Sequence, residues 1–156
     1  TIYGPGFDLF GFQDDHSPRY KYEEHDPDDP RSQRRTIYRF VVRSVPDPLM
    51  ETFDCADPSL ITPVRQTTMT PLQALALLNN KLMIRQAERV AERAKTLAGA
   101  GGNRDESSAI ATAFEWSLGR DPTEEERTLL TDYARSHGLP NACRVILNMN
   151  EFVFVD

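Results

Sequence analysis

Apolar and polar positions along this 156-residue chain follow two regimes, with the change between residues 64 and 70. In the later part, apolar residues recur at three- and four-residue intervals, the mark of helices that bury one side. Thr70-Pro71-Leu72-Gln73 supplies a capping Thr, Pro at the first helical position and Gln at the third, a capping box. The helix it opens runs through Ala74, Leu75, Leu77 and Leu78 to Asn79, a residue suited to a left-handed closing conformation. A second helix carries Met83, Ala87, Val90, Ala94 and Leu97, and Gly99-Ala100-Gly101-Gly102 breaks it. Asn103 with Glu106 opens a third, whose apolar side is Ile110, Ala113, Phe114 and Leu118 and which Gly119 closes. Thr123 with Glu126 forms another capping box, for a helix through Leu129, Leu130, Tyr133 and Ala134 to Gly138. A last helix begins near Pro140 and reaches Asn148, and residues 151–155 either continue it or extend as a strand.

The earlier part lacks that regularity. Eight of the eleven prolines fall before residue 64. Residues 1–33 hold no sustained period and read as an extended acidic and aromatic arm, with Phe7, Phe10 and Phe12 as its anchors. Long structureless stretches are uncommon inside compact domains, so the arm is expected to lie against further protein upstream. The start at Thr1, in mid-loop sequence, likewise suggests a piece of a longer polypeptide. Within residues 34–45, Ile37, Phe40, Val41 and Val45 form an i, i+3, i+4, i+8 stripe, which predicts a first helix with Arg35, Arg39 and Arg43 on one adjoining row. Its β-branched content also suits a strand. Pro46 and Pro48 end it, and residues 46–69 read as loop, with Asp47-Pro48, Asp57-Pro58 and Thr62-Pro63 marking turns.

Charge sharpens this picture. The formal net charge of −6 argues against general nucleic-acid binding. Its distribution is uneven: from Asp14 to Pro30 seven acids face only Arg19 and Lys21, and from Arg31 to Arg43 five arginines face no acid. Adjacent blocks of opposite sign satisfy each other, decorate a solvated surface, or form one polar interface with a partner. Composition, 39% apolar and 27% charged, is that of a globular chain, and no apolar run has the length of a membrane span.

Candidate chemistry is sparse. Cys55 and Cys143 lie outside any Cys-x-x-Cys spacing and read as two buried free thiols. The acidic arm with His16 and His25 has hard-cation ligand types but matches no calcium-loop spacing, so no metal site is assigned. Asp54 and Asp57 offer a carboxylate pair of the kind glycoside hydrolysis uses, yet in Phe-Asp-Cys-Ala-Asp-Pro they read first as turn formers. His137 at a helix end has a sufficient role against the helix dipole. No nucleophile elbow, phosphate loop or dinucleotide fingerprint occurs, and no catalytic residue is assigned. The candidate binding residues are Arg35, Tyr38, Arg39 and Arg43, whose guanidinium forks suit carboxylate, sulfate or phosphate, with Asp54 and Asp57 beside them.

Several of these stretches, in this order, resemble the C-terminal module of a large planctomycete family, called planctomycete-specific domain one and of unknown function. They are Arg34-Arg35-Thr36-Ile37-Tyr38-Arg39-Phe40, Thr52-Phe53-Asp54 with Asp57-Pro58, and Thr70-Pro71-Leu72-Gln73-Ala74-Leu75 with Leu77-Leu78-Asn79. Leu118-Gly119-Arg120 with Pro122-Thr123 and Glu125-Glu126 follow, then Leu147-Asn148 with Asn150-Glu151-Phe152. The resemblance covers residues 34–156, with Gly4-Pro5-Gly6-Phe7 in support. It implies an exported protein of the periplasm or cell envelope, with further domains upstream, often near polysaccharide breakdown or electron transfer. Cys-x-x-Cys-His is absent here, so any haem c that the family implies belongs to the upstream part.

The expectation is therefore an all-α or predominantly α fold of about five or six helices with a long irregular N-terminal arm, divided as 1–33 and 34–156. Three functions compete: a structural and interaction module contacting upstream domains of the same protein, a carbohydrate-binding or polysaccharide-processing domain taking an anionic polysaccharide, and a cytochrome-docking domain. Whether the chain is an enzyme is open on sequence.

Overall fold

A computed structural model of the chain describes residues 5–8, 10–13, 19–57, 59–64, 68, 70–100 and 105–153, with the backbone alone at 11–13, 19 and 32. The described chain is predominantly α, with a two-stranded antiparallel hairpin of β1 (Gly11–Gln13) and β2 (Arg19–Lys21) near its start. Seven helices follow: α1 (Pro48–Thr52), α2 (Pro71–Asn79), α3 (Lys81–Ala100), α4 (Glu106–Leu118), α5 (Glu124–His137), α6 (Leu139–Ile146) and α7 (Asn150–Val153). The chain forms two compact units, residues 1–73 and 74–156.

The second unit follows its hydrophobic pattern closely. The longest helix, α3, packs on α4 and α6, and α5 packs on both of those. Small residues Ala87, Ala91 and Ala94 on α3 let the neighbouring backbones approach, and Ile110, Phe114, Leu139, Cys143 and Ile146 fill the centre. Thr123 and Glu126 make the expected reciprocal capping box, and Gly119, at φ 73°, closes α4 in the left-handed region that glycine adopts at little cost. Two ends differ from expectation. The α4 cap is Asp105, whose carboxylate accepts from Ser108 N–H at 2.9 Å, while Asn103 lies outside the described residues. Asn79 is the last helical residue rather than a left-handed stop, and Asn80 caps α3 by accepting from Leu82 N–H at 2.9 Å. One residue thus ends α2 and the next starts α3. The Arg144 guanidinium donates to the Leu78 carbonyl, satisfying one of the carbonyls that the end of α2 leaves open.

The first unit departs from the periodic reading. No helix spans residues 34–45: a 3-10 turn occupies Thr36–Tyr38, and the chain continues extended. The hydrogen bonds explain the outcome. Phe7 N–H donates to Tyr38 C=O at 3.0 Å and Phe40 N–H donates to Phe7 C=O at 2.7 Å, a parallel bridge between Phe7 and Arg39. Partners four residues back, which a helix needs, are replaced by a partner over thirty residues away. The β-branched run Val41-Val42 accepts that extended state readily. The loop expected at 46–69 also contains α1, because Asp47 before Pro48 is a helix start as well as a turn signal: its carboxylate accepts from Leu49 N–H at 2.8 Å and Met50 N–H at 3.2 Å.

Candidate functional site

The residues singled out from the sequence lie in the first unit, and the loss of the predicted helix scatters its arginine row. Arg39 turns inward. Its guanidinium meets the Asp47 carboxylate with both side chains only 9% exposed, and lies 5.6 Å from the centroid of the Tyr22 ring. The Tyr22 hydroxyl donates to Val45 C=O at 2.5 Å. Burial, and then the Asp47 carboxylate nearby, hold the Tyr22 phenol above its ordinary pKa. Phe10 stands edge-on to Tyr20 and Tyr22, at 4.9 and 5.8 Å, and reaches Phe40 at 6.1 Å. Phe7 is buried and Phe10 half-buried, as anchors should be, while the side chain of Phe12 lies outside the described residues.

Tyr38 has a different neighbour, Arg34. That guanidinium lies 4.5 Å from the Tyr38 ring centroid and 5.8 Å from that of Phe7, and donates to Pro5 C=O. Arg31 pairs with Asp29 at 2.7 Å and reaches Asp8 at 3.4 Å, and the Arg31 hydrogen bonds hold the Asp29 carboxyl below the usual carboxylate range. Acidic and basic blocks of the sequence therefore do meet, through Arg31. Arg35 and Arg43 remain exposed, and among the described residues neither has an ion-pair partner.

Asp54 and Asp57 also part company. Asp57 accepts from Ser59 N–H at 2.8 Å, a local Asx turn. Asp54, at φ 53°, is the one described non-glycine residue with positive φ. Its Oδ2 accepts from Thr68 N–H at 2.7 Å and from the Thr68 hydroxyl at 2.8 Å, and Gln73 Nε2 lies 3.3 Å away. Gln73 in turn accepts from Thr70 N–H through Oε1 at 3.0 Å, while Gln73 N–H donates to Thr70 Oγ1 at 3.2 Å, completing the predicted capping box. The turn reading of Asp57 is right. The carboxylate of Asp54 is instead committed to holding the start of α2 against the loop after α1.

A cavity of about 180 Å³ opens where the 41–43 segment faces α1 and the residues after it. Val41, Val42 and Met50 give it apolar walls, and Arg43, Glu51 and Asp57 bring charge to it. Arg43 and Asp57 thus share this concave surface, while Tyr38 and Arg39 share a separate, shallower one. Cys55 also lines it; its thiol is exposed, against the expectation of burial, because it follows the left-handed turn at Asp54 on the surface. Cys143 is buried in the second unit as expected, and burial raises its thiol to about 12. A shallow groove on the same unit is lined by Phe7, Phe10, Ile37, Tyr38, Phe40 and Val41.

Metal-ligating types do not converge: among the described residues no group of His, Cys, Asp and Glu has the spacing to hold a metal ion. His25 turns Nδ1 to Tyr22 C=O at 3.0 Å, while Asp14, Asp15 and His16 lie outside the described residues. No described helix is long and apolar enough to cross a membrane.

Sequence reasoning missed Asp47, Tyr22 and Arg120. Asp47 carried a signal, since Asp-Pro matches a cap followed by the first helical position. Tyr22 and Arg120 carried none, because their partners come from distant parts of the chain. Arg120 lies 4.8 Å from the Phe114 ring centroid and forks onto Glu126 at 2.9 Å and Glu151 at 2.8 Å. That fork holds Glu126 down at about 2 and lowers Glu151 as well. Three sets of motif residues thus prove to be spatial partners: Pro5–Phe7 with Arg34–Phe40, Asp54 with Gln73, and Arg120 with Glu126 and Glu151. Each is an internal tie.

No match was found among the curated proteins or among the solved structures. Residues 1–134 match the family model described as a protein of unknown function (DUF1553), PSD1. That match takes in the N-terminal arm as well as the segment from residue 34, and the chain belongs to the PSD1 family of proteins of unknown function.

Proposed function

We propose that this chain is a structural and interaction module, and that the face of its first unit from Arg35 to Arg43 docks against another domain of the same polypeptide. One observation carries the reading. Ile37 is 80% exposed, Phe40 57% and Val41 41%, close together on a segment whose backbone is held by Phe7. Large apolar groups clustered on a fixed surface mark contact sites more often than solvated ones. The arginine row contributes through Arg35 and Arg43, since Arg39 is committed to Asp47. The chemistry of the motif residues supports the same reading, because guanidinium and carboxylate groups that tie the fold together are not available to a substrate.

The test is amide hydrogen exchange on the full-length polypeptide and on this chain alone. Protection of residues 35–43 that appears only in the full-length protein is the expected result. Equal exchange in both would remove the docking face.

A second reading rests on the cavity beside Arg43, Glu51 and Asp57: a carbohydrate site, with the apolar wall against a sugar ring and charged groups at its hydroxyl or sulfate substituents. It is tested by binding to neutral and sulfated polysaccharides at low and moderate salt. Salt-sensitive binding lost in Arg43→Glu, with folding intact, would support it.

A further inference from the structure

We infer that the cavity between the 41–43 segment and α1 binds a small zwitterion, an amino acid with an apolar stem, whose carboxylate meets Arg43 and whose ammonium group meets Glu51 and Asp57. The inference goes beyond the docking reading, which rests on the exposure of Ile37 and Phe40, and it gives the cavity an occupant other than a sugar. Charge in the cavity has both signs, since Arg43, Asp47, Glu51 and Asp57 all line it. The Asp47 carboxylate is committed: it meets Arg39 and accepts from Leu49 N–H at 2.8 Å and Met50 N–H at 3.2 Å. Asp57 uses one oxygen, on Ser59 N–H at 2.8 Å, and keeps the other. Among the described residues no ion pair joins Arg43 to Glu51 or Asp57, and neither Arg43 nor Glu51 has a side-chain hydrogen bond of its own.

A guanidinium and two carboxylates thus share one small space without neutralising each other. A ligand with both signs pairs with more of that site than one with a single charge or none. A neutral sugar leaves all three charges to water, and a sulfated one meets Arg43 but turns its anions towards Glu51 and Asp57. Size and walls narrow the class further. The cavity measures about 180 Å³, below the roughly 300–1,000 Å³ of pockets for drug-sized ligands. Val41, Val42 and Met50 also line it, so an apolar stem is buried where a wholly polar one is not. The site stands ready before a ligand arrives, because the Asp47 cap and its buried pair with Arg39 fix α1, which carries Met50 and Glu51. That order lowers the entropic cost of binding.

The experiment follows alkylation of Cys55 by iodoacetamide in the intact chain, with titration calorimetry alongside, since Cys55 lines the cavity with an exposed thiol while Cys143 is buried. The probes are leucine, its isomer ε-aminocaproate, the single-charge analogues caproate and hexylamine, and glucose. At least one zwitterion should protect Cys55 at concentrations about tenfold or more below those the analogues need, because each analogue forgoes a charge-assisted contact. Whichever isomer binds more tightly sets the separation of the two charged contacts. Arg43→Gln should reduce that zwitterion to the affinity of hexylamine, and Glu51→Gln/Asp57→Asn to that of caproate. Hexylamine binding kept in the first variant and caproate binding kept in the second show that both still fold, and the amide of Asp57→Asn still accepts from Ser59. Hexylamine or caproate binding as tightly as both zwitterions would overturn the inference. Protection by glucose alone would overturn it in favour of the carbohydrate reading. Neither protection nor binding heat with any probe would remove the site, and each of these failures leaves the docking face standing.

Discussion

Asp47 and Asp54 are both short carboxylates in a proline-punctuated stretch, and their surroundings give them different sensitivities. Asp47 is buried against Arg39 and caps α1. Asp47→Ala leaves a guanidinium in a site closed to water, and removal of one partner from such a pair costs about 3–5 kcal/mol. Urea unfolding should show that loss, and replacing Arg39 by Met in the same chain should recover much of it, since no unpaired charge then remains. Asp54 combines acceptor bonds with a left-handed backbone at φ 53°. Asp54→Ala and Asp54→Gly both lose those acceptors, but only Ala meets the steric penalty of positive φ, about 1–2 kcal/mol. The Gly variant should therefore be the more stable of the two by about 1 kcal/mol. At Cys143 the same approach predicts a pH effect. Burial raises its thiol to about 12, so the folded state keeps a proton that the unfolded state releases at lower pH. Stability should hold below the unfolded thiol value and decline as pH rises from there towards 12. A thiol reagent should label Cys55 alone in the native chain and both cysteines in denaturant.

At the scale of elements, the legible features were those decided within one turn of chain. The two capping boxes, the Gly119 stop and the apolar side of α4 all follow from neighbours at i+3 or i+4, and all are present. Residues 34–45 defeated the same reasoning because Phe7 supplies a backbone partner that no local pattern announces, and a stripe at helical spacing was left on an extended chain. The candidate site suffered with it, since the arginine row existed only on that helix. Distance in sequence also hid the Arg120 fork, which reaches Glu126 six residues on and Glu151 thirty-one residues on. The fork gives α7 its dependence on one residue. This four-residue helix is far too short to be stable by propensity. Arg120→Met should raise exchange at the amides of Asn150–Val153 while leaving α3 to α5 protected. Acid should act in the same place: Glu126 titrates at about 2 and Glu151 below its ordinary value, both because Arg120 bonds their ionised forms. Groups held low in the folded state contribute stability above the unfolded carboxyl value and lose it as pH falls towards the folded one. Protection of α7 should therefore persist near neutral pH and fade between the ordinary Glu value of 4.5 and about 2.

Across the whole molecule the two units are unequal in what they bury. The contiguous apolar core runs from Ala87 to Leu147 and so belongs entirely to residues 74–156. In residues 1–73 the buried described apolar residues are Phe7 and Val42, and further order there comes from the Arg39–Asp47 pair, edge-on rings and the Asp54 ties. Hydrogen bonds and ion pairs contribute modest net stability, whereas apolar burial supplies most of the driving force for folding. A fragment of residues 70–156, which keeps the Thr70 cap, should accordingly fold alone, with helical circular dichroism and a cooperative melt. Residues 1–73 alone should melt without a sharp transition, because so few of the described apolar residues there leave water. The family match crosses this division, covering residues 1–134, so the weakly cored unit is a constituent part of the family's pattern. On the interaction-module reading, a unit with few buried apolar residues among those described, and with Ile37 and Phe40 turned outward, is a surface that association completes. The melting transition of residues 1–73 should then sharpen and rise when they are joined to the polypeptide that covers Ile37 and Phe40, and a 1–73 fragment that already melts cooperatively alone would show that the first unit needs no partner.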